Sequence, residues 1–234
     1  MHSFKRLPAW PGISDVLACL IGGLMALAAT QAPAQVTIDR TEPIVERRSF
    51  DPQNPPQEMP RLDPKEAAVT QSFFGVETRV GGTVVQQTKL PDGQCRASIK
   101  VDQVHMTLRL RITIWLPSDA VPKLINHEEG HRRISEHFYQ DAERIAREQA
   151  QALIGTIVVG SGRDCQTAGD NALKQAAQEL GGRYLGKTDV PAGKAQELYD
   201  QLTAHGTNAV REDRAVRQAI EQATRPPGSQ AARD

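Results

Sequence analysis

The sequence predicts an α+β fold in which a small antiparallel sheet packs against one long helix and several further helices. Two patterns carry that expectation. Val104, Met106, Leu108, Leu110, Ile112, Ile114 and Leu116 alternate with His105, Thr107, Arg109, Arg111, Thr113 and Trp115, as in a strand with one face on a core and one toward solvent. Directly afterwards, from about residue 119 to residue 153, apolar residues recur at the spacing of a helix with one inward face. No internal repeat is visible, so both patterns belong to one α+β domain, placed at residues 67–210.

What precedes that domain has a different character. Lys5 and Arg6 lead into the apolar run Val16 to Ala29, and Ala32-Pro33-Ala34 follows as a small-x-small site. The run has about 14 residues where a bilayer span needs roughly 20. Residues 1–34 therefore read as a cleaved secretory signal peptide, with an uncleaved N-terminal anchor as the alternative. The expected location is periplasmic or secreted, with no stable membrane insertion after cleavage. Most of the apolar run follows Cys19 instead of preceding it, which argues against lipidation. Residues 35–66 hold Pro43, Pro52, Pro55, Pro56, Pro60 and Pro64 with few apolar residues, so they read as a Pro-rich linker unable to offset its own chain entropy. Residues 211–234, polar and containing Pro226-Pro227, read as a trailing C-terminal tail.

Within the domain, Phe73–Val80 and Thr83–Thr88 read as short strands around Gly81-Gly82, and Pro91-Asp92-Gly93 as a turn. Pro117 ends the long strand, and Ser118 or Asp119 is placed to cap the long helix. Further helices are expected over 170–180, closed by Gly181-Gly182, and over 191–205, with Gly206 at its end. Lysine plus arginine and aspartate plus glutamate both number 28. That balance gives no electrostatic reason to expect nucleic acid or an anionic membrane surface as partner. Without residues 1–34 two cysteines remain, Cys95 and Cys165, and in an exported chain the pair is expected to form one disulfide.

The chemistry concentrates in His127-Glu128-Glu129-Gly130-His131. At about 100° per residue, His131, Ile134, Phe138, Ala142 and Ile145 all fall within about 60° of His127, so both histidines sit on the inward face. Imidazoles at i and i+4 can bind one ion. Glu128 points aside, where it can take a proton from water activated by that ion and later pass it to a leaving amine. Zinc fits nitrogen and oxygen ligands with one position left open, whereas magnesium or calcium would call for a carboxylate-rich shell.

A third ligand is required, and several residues compete. His137 completes a three-histidine spacing, but Ile134 stands where a helix-breaking glycine is needed, so the continuing helix carries His137 away. Glu136 and Asp141 fail because roughly 13 Å or more of helix rise separates them from His127. Glu179, on the next helix, is a further candidate. His205 is preferred, at the end of a helix whose Leu198 and Leu202 share its packed side, with Gly206 letting the chain turn away. Tyr199 can stabilise an oxyanion or pack structurally. Asp200 can hold the outer nitrogen of a metal-bound histidine or sit solvated. His105 reads as a surface residue.

The signal-like start, the alternating strand, the His127–His131 helix and the late segment Tyr199-Asp200-Gln201-Leu202-Thr203-Ala204-His205-Gly206 together resemble a family of secreted bacterial predicted zinc-dependent proteases of unknown biological role. The resemblance covers roughly residues 67–210. It implies a zincin-like arrangement with an edge strand beside the cleft, His127, His131 and His205 as zinc ligands and Glu128 as base. The chain departs from the family pattern at Arg132-Arg133, where an aromatic-acidic pair is usual, which bears on substrate preference. The resulting expectation is a zinc metallopeptidase acting on a peptide or protein substrate, with Glu128 and Tyr199 as catalytic candidates. The alternative is a non-catalytic envelope protein that retains a structural or vestigial zinc site.

Overall fold

A computed structural model describes residues 35–62 and 64–225. The signal-peptide reading of residues 1–34 and the last nine residues of the tail lie outside the described residues. The order of elements is β1 (Gln35–Arg40), β2 (Ile44–Phe50), β3 (Val69–Lys89), β4 (Cys95–Pro117), α1 (Pro122–Gln140), α2 (Ala142–Leu153), β5 (Ile157–Gly162), α3 (Cys165–Lys187), α4 (Asp189–Thr203) and α5 (Glu212–Thr224).

The alternating strand is the spine of the sheet. β4 pairs along one edge with β3, antiparallel from Val69↔Trp115 to Lys89↔Cys95. Its other edge is shared by three short strands: β5 against 95–100, β1 against 103–108 and β2 against 111–117. The inward residues from Val104 to Ile114 are buried, as their alternation requires. Before them the buried set is Cys95, Ala97, Ile99 and Val101, which is the opposite phase. The switch falls at Asp102, which has no partner where Gly81 pairs Gln103 and Gly82 pairs Val101. One extra residue in a strand inverts the faces beyond it, and Thr83 Oγ1 donates to Asp102 Oδ2 at 2.7 Å to pin the bulge. The two expected strands around Gly81-Gly82 are thus one bulged strand.

The α+β class holds, but the sheet is mixed and not antiparallel throughout: β1 and β2 run parallel to β4. The same two strands correct the reading of residues 35–66 as a linker. Val36, Ile38 and Val45 pack on the core, and the backbone finds its hydrogen-bond partners on the free edge of β4. An edge strand needs only a few apolar residues once a neighbour satisfies its backbone. Pro43 falls in the gap between β1 and β2, where no ladder bond is lost.

The helices lie on one face of the sheet. The expected 119–153 helix is divided at Asp141 into α1 and α2, and it begins behind Val121 with Pro122 in its first turn and no side-chain cap, so neither Ser118 nor Asp119 caps it. α3 continues through Gly181 and Gly182. Its N-cap is Asp164, which accepts from the Thr167 amide at 2.7 Å. A disulfide joins Cys95, at the start of β4, to Cys165, at the start of α3. The tail reading of 211–234 is corrected by α5, whose Ala215, Val216, Ala219 and Ala223 are buried against the core. These small residues carry little hydrophobic signal, and close packing with α4 makes up for it. No helix among the described residues is long and apolar enough to cross a membrane.

Candidate metal centre

α1 carries His127, Glu128 and His131 on its buried face, in line with Ile134 and Phe138. α4 crosses it and presents Gln196, Tyr199, Asp200 and Thr203, a stripe at helical spacing. Between them three ligand atoms converge. His127 Nε2 and His131 Nε2 stand 3.2 Å apart, and Asp200 Oδ1 lies 3.2 Å from the first and 3.0 Å from the second. Ligands on a tetrahedral zinc, with bonds of about 2.0–2.2 Å, are separated by roughly 3.3 Å. The donor set of two imidazoles and one carboxylate therefore fits zinc in both chemistry and spacing.

The surroundings hold the imidazoles in that orientation. His131 Nδ1 faces Gln196 Oε1 at 2.5 Å. Gln196 Nε2 in turn donates to the His131 carbonyl at 3.0 Å and to Ser135 Oγ at 2.9 Å. With its outer nitrogen donating to Gln196, His131 keeps the Nε2 lone pair for an ion. His127 Nδ1 is buried and has no hydrogen-bond partner; Glu212 Oε2, at the start of α5, lies 3.9 Å from it. The Tyr199 ring stacks on His127, with centroids 4.9 Å apart and planes 13° from parallel, and meets His131 edge-on. Such an approach to α1 depends on Gly130, because a Cβ there would fall on the Tyr199 ring.

Glu128 is buried beside the two histidines, and Thr70 Oγ1, at the start of β3, donates to its Oε2 at 2.7 Å. Burial raises its carboxyl above the usual carboxylate range, against the lowering pull of His131 and the Thr70 hydroxyl. Burial also opposes ionisation of Asp200, but the hydrogen bonds and charges of His127 and His131 outweigh it and hold that carboxyl well below its ordinary value. For His131 burial is again opposed and overcome, here by Asp200, so its imidazole is raised.

Asp200 occupies the corner for which His205 is the sequence expectation. α4 ends at Thr203, and Ala204, His205 and Gly206 all take positive φ, at 48°, 52° and 74°. That left-handed turn removes His205 from the helix on which the expectation rested. It still lines the cavity with Glu66, Asp200 and Glu128, its Nδ1 3.8 Å from Glu66 Oε1 and 3.9 Å from Asp200 Oδ1. Among the described residues, His127, His131 and Asp200 form one group of potential ligands, and Glu66, Asp200 and His205 form another. Tyr199, expected as a possible oxyanion stabiliser, is fully buried. Its hydroxyl donates to the His127 carbonyl at 3.2 Å and to Glu212, so it orients His127 and does not face the cavity. His137 is exposed on α1 against Phe138. Glu179 is taken up by Gln175 and Arg183 on the outside of α3, and His105 pairs with Asp39 on the solvent face of the sheet. Glu129 pairs with Arg47 and Arg132.

Gln196, Thr70 and Glu212 are absent from the sequence reading. The polar stripe 196-199-200-203 is visible as a periodicity, but nothing local says that it faces α1. No protein family, curated protein or solved structure matches the chain, so the family resemblance rests on the motif residues themselves.

Proposed function

We propose that the chain is a zinc-dependent hydrolase of peptide-type bonds, with His127, His131 and Asp200 holding the ion and Glu128 as general base. The observation that carries this reading is the convergence of three ligand atoms within 3.2 Å of one another beside a buried glutamate. Bound zinc would polarise a substrate carbonyl and make a water acidic enough to lose its proton near neutral pH. The chain's own part begins with Glu128. It is buried beside the ligand atoms, where it can accept a proton from that water and give it back to a leaving amine. Thr70 fixes which carboxylate oxygen does so, by bonding Oε2. Asp200 supplies the negative charge that a dication between two neutral imidazoles requires, and Gln196 keeps the His131 lone pair directed inward. The zincin-like description belongs to this proposal; its support is that β3, whose outer edge pairs with no other strand among the described residues, begins at the cavity beside Glu128.

Glu128→Gln tests it. Purified protein is expected to carry about one tightly held zinc in this site, and the variant to keep it. Its rate on a peptide substrate should fall by about 10²–10⁴, the usual cost of losing a general base. Hydrolysis undiminished in the variant, or a protein that takes up no zinc on reconstitution, would overturn the reading.

A further inference from the structure

A second, larger cavity, about 620 Å³, adjoins the candidate metal centre. Its floor is the paired ends of β2 and β4, Phe50 opposite Pro117, and its walls are Pro52, Pro55, Met59 and Leu62 from the stretch between β2 and β3. That stretch is folded back on itself by bonds from the Asn54 amide to the Asp51 carbonyl at 2.9 Å and from the Met59 amide to the Pro56 carbonyl at 3.1 Å. The Ser118 amide ties its root to the Phe50 carbonyl at 2.8 Å. Prolines at these positions make the walls apolar and limit the backbone freedom lost when something binds.

The cavity neighbours the cleft: Glu66 and Ala67 line both. From Ala67 to Thr70, whose hydroxyl holds Glu128, three residues span at most about 11 Å of chain. An extended peptide with its scissile bond at Glu128 is therefore long enough to bring a side chain two or three residues away to the cavity.

We infer that this proline-walled cavity is a specificity pocket that takes a large apolar side chain of the peptide whose bond lies in the cleft. The inference rests on the hydrolase reading and adds its substrate class: peptides bearing leucine, phenylalanine or a similar side chain at one fixed distance from the bond. Pocket walls supply van der Waals contact and remove apolar surface from water; the charged side chains of the lining are Arg61, Glu66 and Asp119.

Methyl NMR tests the pocket without relying on turnover. The chain has four methionines, Met1, Met25, Met59 and Met106. Met59 lines the pocket, and Met106 is fully buried under the sheet and serves as internal control. Full-length protein labelled at the methionine methyls is titrated with two blocked pentapeptides of glycine and serine, identical except for leucine or aspartate at the centre. The Met59 signal is assigned with Met59→Leu, and Glu128→Gln protein is used in parallel so that nothing is cleaved. A saturable shift of Met59 is expected with the leucine peptide, at least about tenfold tighter than with the aspartate peptide, the selectivity that burying one leucine side chain carries. Met106 should not move. Leu62→Lys, which puts a charge in the wall, should abolish the response while leaving the Met106 signal in place as evidence of an intact core. A Met59 signal unmoved by the leucine peptide, or moved equally by both, overturns the pocket, including the case in which another part of the chain already fills it. Zinc uptake and hydrolysis are scored separately: hydrolysis without a Met59 shift removes the pocket alone, and a Met59 shift without hydrolysis removes the hydrolase reading and leaves an apolar-peptide site.

Discussion

Replacing Gly130 with alanine sets two opposed effects against each other. In an exposed helix interior, Gly→Ala stabilises by about 1 kcal/mol. At Gly130 the added Cβ would overlap the Tyr199 hydroxyl and lie 2.9 Å from Tyr199 Cε1. That ring has no room to retreat, because it is stacked on His127, edge-on to His131 and bonded through its hydroxyl to the His127 carbonyl and Glu212. Overpacking a filled interior costs about 1–3 kcal/mol, and here the displaced ring also strains two hydrogen bonds. The clash should win, with a net loss of about 1–2 kcal/mol. Urea unfolding of the metal-free protein measures it, and chelator competition should show weaker zinc binding, since His127 moves with Tyr199. The control is the same change in a Tyr199→Leu background. With the ring gone the steric cost disappears, and Gly130→Ala should become neutral or stabilising. A Gly130→Ala protein as stable as the parent, or an equal loss in both backgrounds, would refute the packing explanation.

Three further outcomes follow from the same geometry. Glu212→Gln should weaken zinc binding by less than the about 10–100-fold that follows loss of a carboxylate hydrogen-bonded to a metal-bound histidine, because Glu212 acts on His127 through the Tyr199 hydroxyl and as a charge 3.9 Å away. The urea midpoint of the metal-free protein should stay close to that of the parent; unchanged zinc affinity would show that Glu212 does not act on His127. Cys95→Ser with Cys165→Ser should cost about 4 kcal/mol in the chain-entropy model, because the bond closes a loop with a sequence separation of 70, and an unshifted denaturation midpoint would contradict it. All three tyrosines are raised above their ordinary value, each chiefly by burial, with Tyr184 pushed up to about 12. Between pH 10 and 12 the unfolded chain therefore loses phenolic protons that the folded chain keeps, so stability is intact below pH 10 and falls as pH rises through this window. Phenolate absorbance of the folded protein should appear at higher pH than that of the unfolded chain, and a tyrosine titrating near pH 10 in intact protein would count against the burial assigned here.

The parts of this protein that the sequence determined are those in which periodicity and local chemistry agree. The uninterrupted alternation from Val104 to Leu116 marks β4 and its buried face. The helical recurrence from His127 through Ile134 to Phe138 puts both histidines inward, and Glu128 follows from adjacency. The Cys95–Cys165 bond came from counting thiols in a chain with an export-like start, and the bond is present.

Tertiary structure decided what depends on partners distant in sequence. Residues 35–50 have the composition of a linker and become strands only because β4 offers an open edge. α5 is nearly all small and polar residues, and it is held by what it packs against. The third corner of the candidate metal centre turns on which face of α4 meets α1. Gln196, Tyr199 and Asp200 lie on the face of α4 that meets α1, whereas at about 100° per residue a continued α4 would place His205 about 140° round from Asp200, on the side of Leu198 and Leu202. The left-handed turn at Ala204–Gly206 instead carries His205 into the cavity lining, while Asp200 is the group that meets both imidazoles. Gln196, Thr70 and Glu212 reach the site from three different elements. No single-chain pattern encodes their meeting, because a hydrogen bond between α1 and α4 is set by how the helices cross and not by the residues' spacing along the chain.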